Sequence, residues 1–76
     1  MTIQEQMIEY MVEELIEILC EEQHIEYDIA MYKLYHSKVF EKVQDPKTGL
    51  YRESPAYVYE LLKDEFKTGE IVQREE

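Results

Sequence analysis

The sequence predicts an all-α fold: one domain over 1–76, a compact bundle of three to four short helices, with minor extended segments near 50–52 and 70–73. Three observations predict it. Apolar residues recur at helical spacing through the first nineteen positions. A Ser-Pro pair opens a second periodic stretch towards the C-terminus, as at many helix starts. Glycine and proline number only two each, and none of the four precedes Pro46, so the first half contains no strong helix breaker.

The first helix has a complete start signal. Thr2 can cap it, and Glu5, three residues on, completes a capping box. Ile3, Met7, Ile8, Met11, Val12, Leu15, Ile16, Ile18 and Leu19 then cover an arc of roughly 180°. Glu9, Glu13 and Glu17 stack on the opposite face one turn apart. That arc is wider than one neighbouring helix needs. The helix is therefore either the centre of the fold or half of a dimer seam.

A second helix is expected from Glu26 to about Ser37, with Ile29, Tyr32, Leu34 and Tyr35 at its apolar positions. The break before it, around Gln23–Glu26, contains neither Gly nor Pro. Ser37 either caps a short third helix holding Val39, Phe40 and Val43, or lies inside a continuation of the second. Asp45-Pro46-Lys47-Thr48-Gly49 is a clear turn: Pro presets φ, and Gly supplies the positive φ that closes the loop. Leu50-Tyr51-Arg52 should be extended. Ser54 as N-cap and Pro55 at the first helical position open the last helix, whose stripe is Val58, Leu61, Leu62, Glu65 and Phe66, with Glu65 at its edge. Gly69 is placed to end it, and Ile71-Val72 can pack back or pair with Leu50-Tyr51.

Size and composition narrow the function classes. A chain of 76 residues buries only about 60–65% of the surface it exposes when unfolded, so it gains from a staple. Cys20 is the only cysteine, which excludes an internal disulfide and makes a homodimer the default source of further buried area. Met1-Thr2-Ile3-Gln4-Glu5 has no basic region of a signal peptide, and no apolar run approaches the roughly 20 residues of a membrane span. The expected compartment is the cytoplasm, without membrane contact.

Charge is unevenly placed. Residues 1–32 carry nine acids and no Lys or Arg, whereas residues 33–76 carry nine acids and eight bases, which together give the net −10. Phosphate backbones should repel such a chain, so no direct nucleic-acid binding is expected and a basic protein partner is favoured.

Motifs for chemistry are sparse. Glu21-Glu22-Gln23-His24 has the Glu-x-x-His spacing of di-iron bundles, and with Glu17 it defines an alternative reading, a metal-binding helical dimer. One copy per chain falls short of such a site, and the same spacing arises readily at a solvated end of an acidic helix. Cys20 and His24, one turn apart, offer only two of the four ligands that structural zinc usually takes. Ser37, Ser54, His24 and His36 have no nucleophile turn beside them, and two glycines cannot form a phosphate cradle. No cofactor, metal or catalytic residue is expected, and the chain is read as a non-enzyme.

What remains points to contact with other proteins. Tyr57 and Tyr59 project roughly 200° apart on a helix, so only one can sit centrally in the core and the other belongs at a rim or interface. Glu9, Glu13 and Glu17 have no Lys or Arg one turn away to offset them, although like charges at this spacing cost a few tenths of a kcal/mol per pair. The expected partner-binding residues are Glu9, Glu13, Glu17, Met7, Met11, Tyr57 and Tyr59. The reading is a non-enzymatic interaction module, homodimeric, offering an acidic face to a basic partner as an adaptor or antitoxin-like regulator. An acidic mimic of nucleic acid is a further alternative.

Ser37, Phe40, Asp45-Pro46, Thr48-Gly49-Leu50-Tyr51, Ser54, Tyr57-Val58-Tyr59 and Leu62 resemble a small family of uncharacterised acidic helical bacterial proteins. The first half is similar to them in length and acidity. The resemblance implies an accessory protein, a neighbour or regulator of larger ones, and carries no activity, cofactor or catalytic residue.

Overall fold

In the computed structural model, which describes residues 2–68, the first helix begins where its capping box predicts. Thr2 Oγ1 accepts the Glu5 N–H at 3.1 Å, and Glu5 Oε1 accepts the Thr2 N–H at 3.0 Å. Helix α1 runs over Ile3–Gln23 and ends on His24, at φ 55° and ψ 47°. This left-handed cap, ordinarily a glycine's, is how the chain breaks without Gly or Pro. A β-carbon in that conformation costs about 1–2 kcal/mol, partly offset in glycine by its larger unfolded-state entropy. His24→Gly is accordingly expected to raise stability by about 0.5–1 kcal/mol, read as a higher urea midpoint.

The second helix, α2, spans Tyr27–Tyr35 and stops short of Ser37. Ser37 caps a separate helix, α3, over Lys38–Gln44: its Oγ accepts the Phe40 N–H at 3.0 Å and donates to the Leu34 carbonyl at 2.6 Å. Continuation of the second helix is thereby excluded. Among the apolar positions expected on α2, only Leu34 is buried. Ala30 joins it one turn earlier, while Ile29, Tyr32 and Tyr35 stay 47%, 64% and 45% exposed. A nine-residue helix packed mainly on α1 buries a single narrow row, here the i, i+4 pair.

The Asp45–Gly49 turn forms as expected. Asp45 Oδ1 accepts the Lys47 N–H at 3.0 Å, Pro46–Thr48 makes one 3₁₀ turn, and Gly49 closes it at φ 72°. Leu50–Arg52, expected to be extended, is instead a second 3₁₀ turn, and this is the first correction. Arg52 N–H to the Gly49 carbonyl and Glu53 N–H to the Leu50 carbonyl, each at 3.0 Å, close it. The reason is burial. Consecutive residues of an extended chain face opposite ways, whereas the turn lets Leu50 and Tyr51 both enter the core. The other expected extended segment, near 70–73, lies outside the described residues, as do Gly69 and Ile71-Val72.

Ser54 Oγ accepts the Tyr57 N–H at 3.2 Å and opens α4, Pro55–Thr68. Helix α1 packs against α2, α3, α4 and the Leu50–Arg52 turn, and is therefore the central helix. Its Met11, Leu15, Ile16 and Leu19 form one buried cluster with Ala30, Leu34, Val39, Val43, Val58 and Leu62.

Glu65 is the second correction. It is not at the edge of the α4 stripe but buried, and its carboxylate crosses to α3. Oε2 accepts the Lys38 N–H at 2.8 Å and Oε1 accepts the Val39 N–H at 3.1 Å. With Ser37 on Phe40, the first three N–H groups of α3 each meet a side-chain acceptor.

Candidate interaction site

Glu9, Glu13 and Glu17 all stand exposed on α1, one turn apart as the register requires. None of their carboxylates makes a hydrogen bond or ion pair with another described residue. Among the described residues the ion pair is Lys63–Glu60, at 3.5 Å, on α4. Other cations are engaged elsewhere: Lys33 Nζ donates to Gln23 Oε1 at 2.9 Å and lies 5.3 Å from the centre of the Phe66 ring, and Arg52 lies 5.6 Å from the Tyr51 ring. The acidic column therefore keeps its like-charge repulsion without internal compensation.

Beside that column runs a groove of about 320 Å³ between α1 and the corner where α2 meets α3. Ile8, Val12 and Ile16 supply its apolar lining from α1, Glu9 and Glu13 stand along it, and Tyr27, Tyr35 and Phe40 face it from the other elements. The Tyr35 and Phe40 rings pack on each other with centroids 4.8 Å apart, tilted by 39°. A neighbouring hollow shares Ile8, Glu9 and Gln44 and adds Glu5, extending the acidic border by one turn. The carboxylates of this groove were expected from the sequence, and its aromatic wall was not. The available signal was the Ser37 cap, since a sharp turn between Tyr35 and Phe40 brings two rings five residues apart onto one corner.

The apolar candidates divide. Met7 is 37% exposed, with Ile3 at 75% and Tyr10 at 60%, and these three line a second hollow of about 270 Å³ bounded by Tyr51 and Arg52. Met11 and Tyr59, expected to meet a partner, are instead buried in the chain's own core at 1% and 4% exposure. The central position of α1 is the cause for Met11: its side of the helix is covered by the chain's other elements, the Leu50–Arg52 turn among them. Tyr57 is 49% exposed while Tyr59 is buried, the division their spacing demands. Tyr57 lines neither hollow and is not brought together with the acidic column.

Burial gives Tyr59 a distinct chemistry. Its hydroxyl is enclosed and has no partner in bonding geometry, although the Gln23 side chain, which accepts from Lys33, lies nearby. Burial first, then the Glu22 carboxylate, push its pKa above the ordinary 10.0. The folded state thus holds this proton more tightly than the unfolded chain does. That contribution is intact below pH 10 and is lost as pH rises through the folded value. Tyr59→Phe is expected to match or exceed wild-type stability by about 1 kcal/mol at neutral pH and to flatten the loss above about pH 10, as read from urea midpoints across pH.

The Glu-x-x-His spacing does not become a site within the chain. His24 sits past the helix end in the left-handed conformation, so the register that would align it with Glu17 and Glu21 stops at Gln23. Among the described residues no three His, Cys, Asp or Glu side chains are grouped to hold a metal ion. Cys20 is a free thiol, half-buried beside the core.

No helix among the described residues is long and apolar enough to cross a membrane. In comparisons with protein-family models, curated proteins and solved structures, nothing matches the chain.

Proposed function

We propose that the chain is a non-enzymatic protein–protein interaction module. It self-associates through the apolar N-terminal face of α1 and offers the acidic face of that helix to a basic partner, in the manner of an adaptor or an antitoxin-like neutraliser. The observation that carries this reading is the uncompensated Glu9–Glu13–Glu17 column flanked by an open aromatic groove. An isolated structural helix gains nothing from three like charges one turn apart, whereas a cationic surface laid against them converts repulsion into steering and register. With −10 net charge the same face repels phosphate backbones, so the partner is a protein.

Capture of a basic partner should be strong at low salt and should fall as ionic strength rises past about 0.1 M, where charges more than about 10 Å apart are screened. Changing Glu9, Glu13 and Glu17 together to Gln keeps shape and helicity while removing the charge. The triple variant is expected to lose about tenfold or more in affinity at low salt, measured by calorimetry. Affinity unchanged in that variant would remove the electrostatic basis of the proposal.

A further inference from the structure

We propose that the groove between α1 and the α2–α3 corner is the seat of an arginine-bearing amphipathic helix from the partner protein; this rests on the acidic-face reading above and narrows it to one occupant. The groove has two parts with different demands. Its apolar lining, Ile8, Val12 and Ile16, spans nine residues of α1, roughly 12 Å from first to last, or about two turns of a facing helix. Its charged border, Glu9 and Glu13, places carboxylates one turn apart, which matches cations one turn apart on that facing helix. An occupant with leucine-like residues on one row and cations on the next meets both demands. No Lys or Arg lines the groove, so charge complementarity must come from outside it.

Aromatic walls decide between the two cations. Tyr27 and Tyr35 present rings about half exposed, and Tyr35 is braced against Phe40. A planar guanidinium can stack on such a face while its edge donates to a carboxylate, which a compact, strongly hydrated ammonium does poorly. A second copy of this chain is a poorer occupant. Each copy carries −10, and its two pairs of cations one turn apart are both set among acids: Lys38 and Lys42 on α3 flank Glu41, and Lys63 and Lys67 on α4 flank Asp64, with Lys63 already paired to Glu60.

The test uses two synthetic helical peptides of about fourteen residues, with Leu on one row and either Arg or Lys one turn apart on the next. Each is titrated at low salt into the wild-type chain and into E9Q/E13Q, Y27A, Y35A and E17Q, after circular dichroism has shown that each variant is folded. The Arg peptide should bind about fivefold or more tighter than the Lys peptide. E9Q/E13Q should weaken it about tenfold, while E17Q, on the acidic column but outside the groove, should weaken it much less, by about twofold. Y27A or Y35A should bring the Arg-to-Lys preference close to one.

An Arg-to-Lys ratio near one in the wild type, or an E17Q effect equal to that of E9Q/E13Q, overturns the groove assignment and leaves the acidic-face reading standing. Failure of both peptides to bind, or binding indifferent to every acidic substitution, overturns both. Self-association abolished by E9Q/E13Q without peptide would make a second copy the occupant and overturn the proposal in that way.

Discussion

Replacing Glu65 with alanine is expected to destabilise the chain by about 3 kcal/mol, the largest effect of any single polar substitution in the described fold. The carboxylate makes two charge-assisted bonds, to the Lys38 and Val39 N–H groups, and one of those donors is buried. Hydrogen bonds to a charged group contribute about 1.5–3 kcal/mol, and a buried donor left without an acceptor adds its own desolvation cost. A 76-residue domain has only about 4–11 kcal/mol in total, so this one change removes a large share. Glu65→Gln keeps one oxygen but turns an NH₂ group towards the second donor, and should lie between wild type and alanine. Ser37→Ala removes the remaining side-chain acceptor on the same turn. The double variant with Glu65→Ala should therefore be non-additive, because α3 has already lost its anchored start in either single variant. Urea unfolding followed by circular dichroism measures all four chains, and an alanine variant within about 0.5 kcal/mol of wild type would show the tertiary cap to be incidental.

Local codes were legible and tertiary ones were not. Thr2 with Glu5, Ser54 with Pro55 and Asp45 with Gly49 each act within four residues, so their hydrogen bonds follow from spacing alone. The period sets Glu65 between Val58 and Leu61, inside the stripe and not at the edge where its charge suggested, yet its acceptor role exists only because α3 starts beside α4. Periodicity reports which way a side chain points and is silent about what waits there. The same limit explains Leu50-Tyr51, where two adjacent apolar residues suggest a strand until both must be buried on one side. His24 shows a different failure: its left-handed cap is permitted but disfavoured for a side chain, so sequence preference argues against what the packing of α1 on α2 enforces. The candidate groove divides along the same line. Its carboxylates come from one helix and could be read off the spacing, while its rings come from Tyr27, Tyr35 and Phe40 on two other elements.

Met7 and Met11 lie four residues apart on α1, yet their truncation should produce opposite phenotypes. Met11 is enclosed by the chain's own core, so Met11→Ala is expected to cost about 2–4 kcal/mol at every protein concentration. Met7 is partly open, beside Ile3 and Tyr10, and Met7→Ala should leave the unfolding of the isolated chain within about 1 kcal/mol of wild type. If this face is a twofold seam, each substitution there acts twice per dimer, and Met7→Glu sets two carboxylates into one apolar contact. Light scattering across concentration should then show a wild-type dimer that persists at high salt, since an apolar seam is not screened. The Met7→Glu variant should be a monomer of unchanged helicity. A wild-type chain that stays monomeric at the highest concentrations would reduce Ile3, Met7 and Tyr10 to the scattered surface apolar residues that most proteins carry, and the acidic groove would be left to act from a single copy.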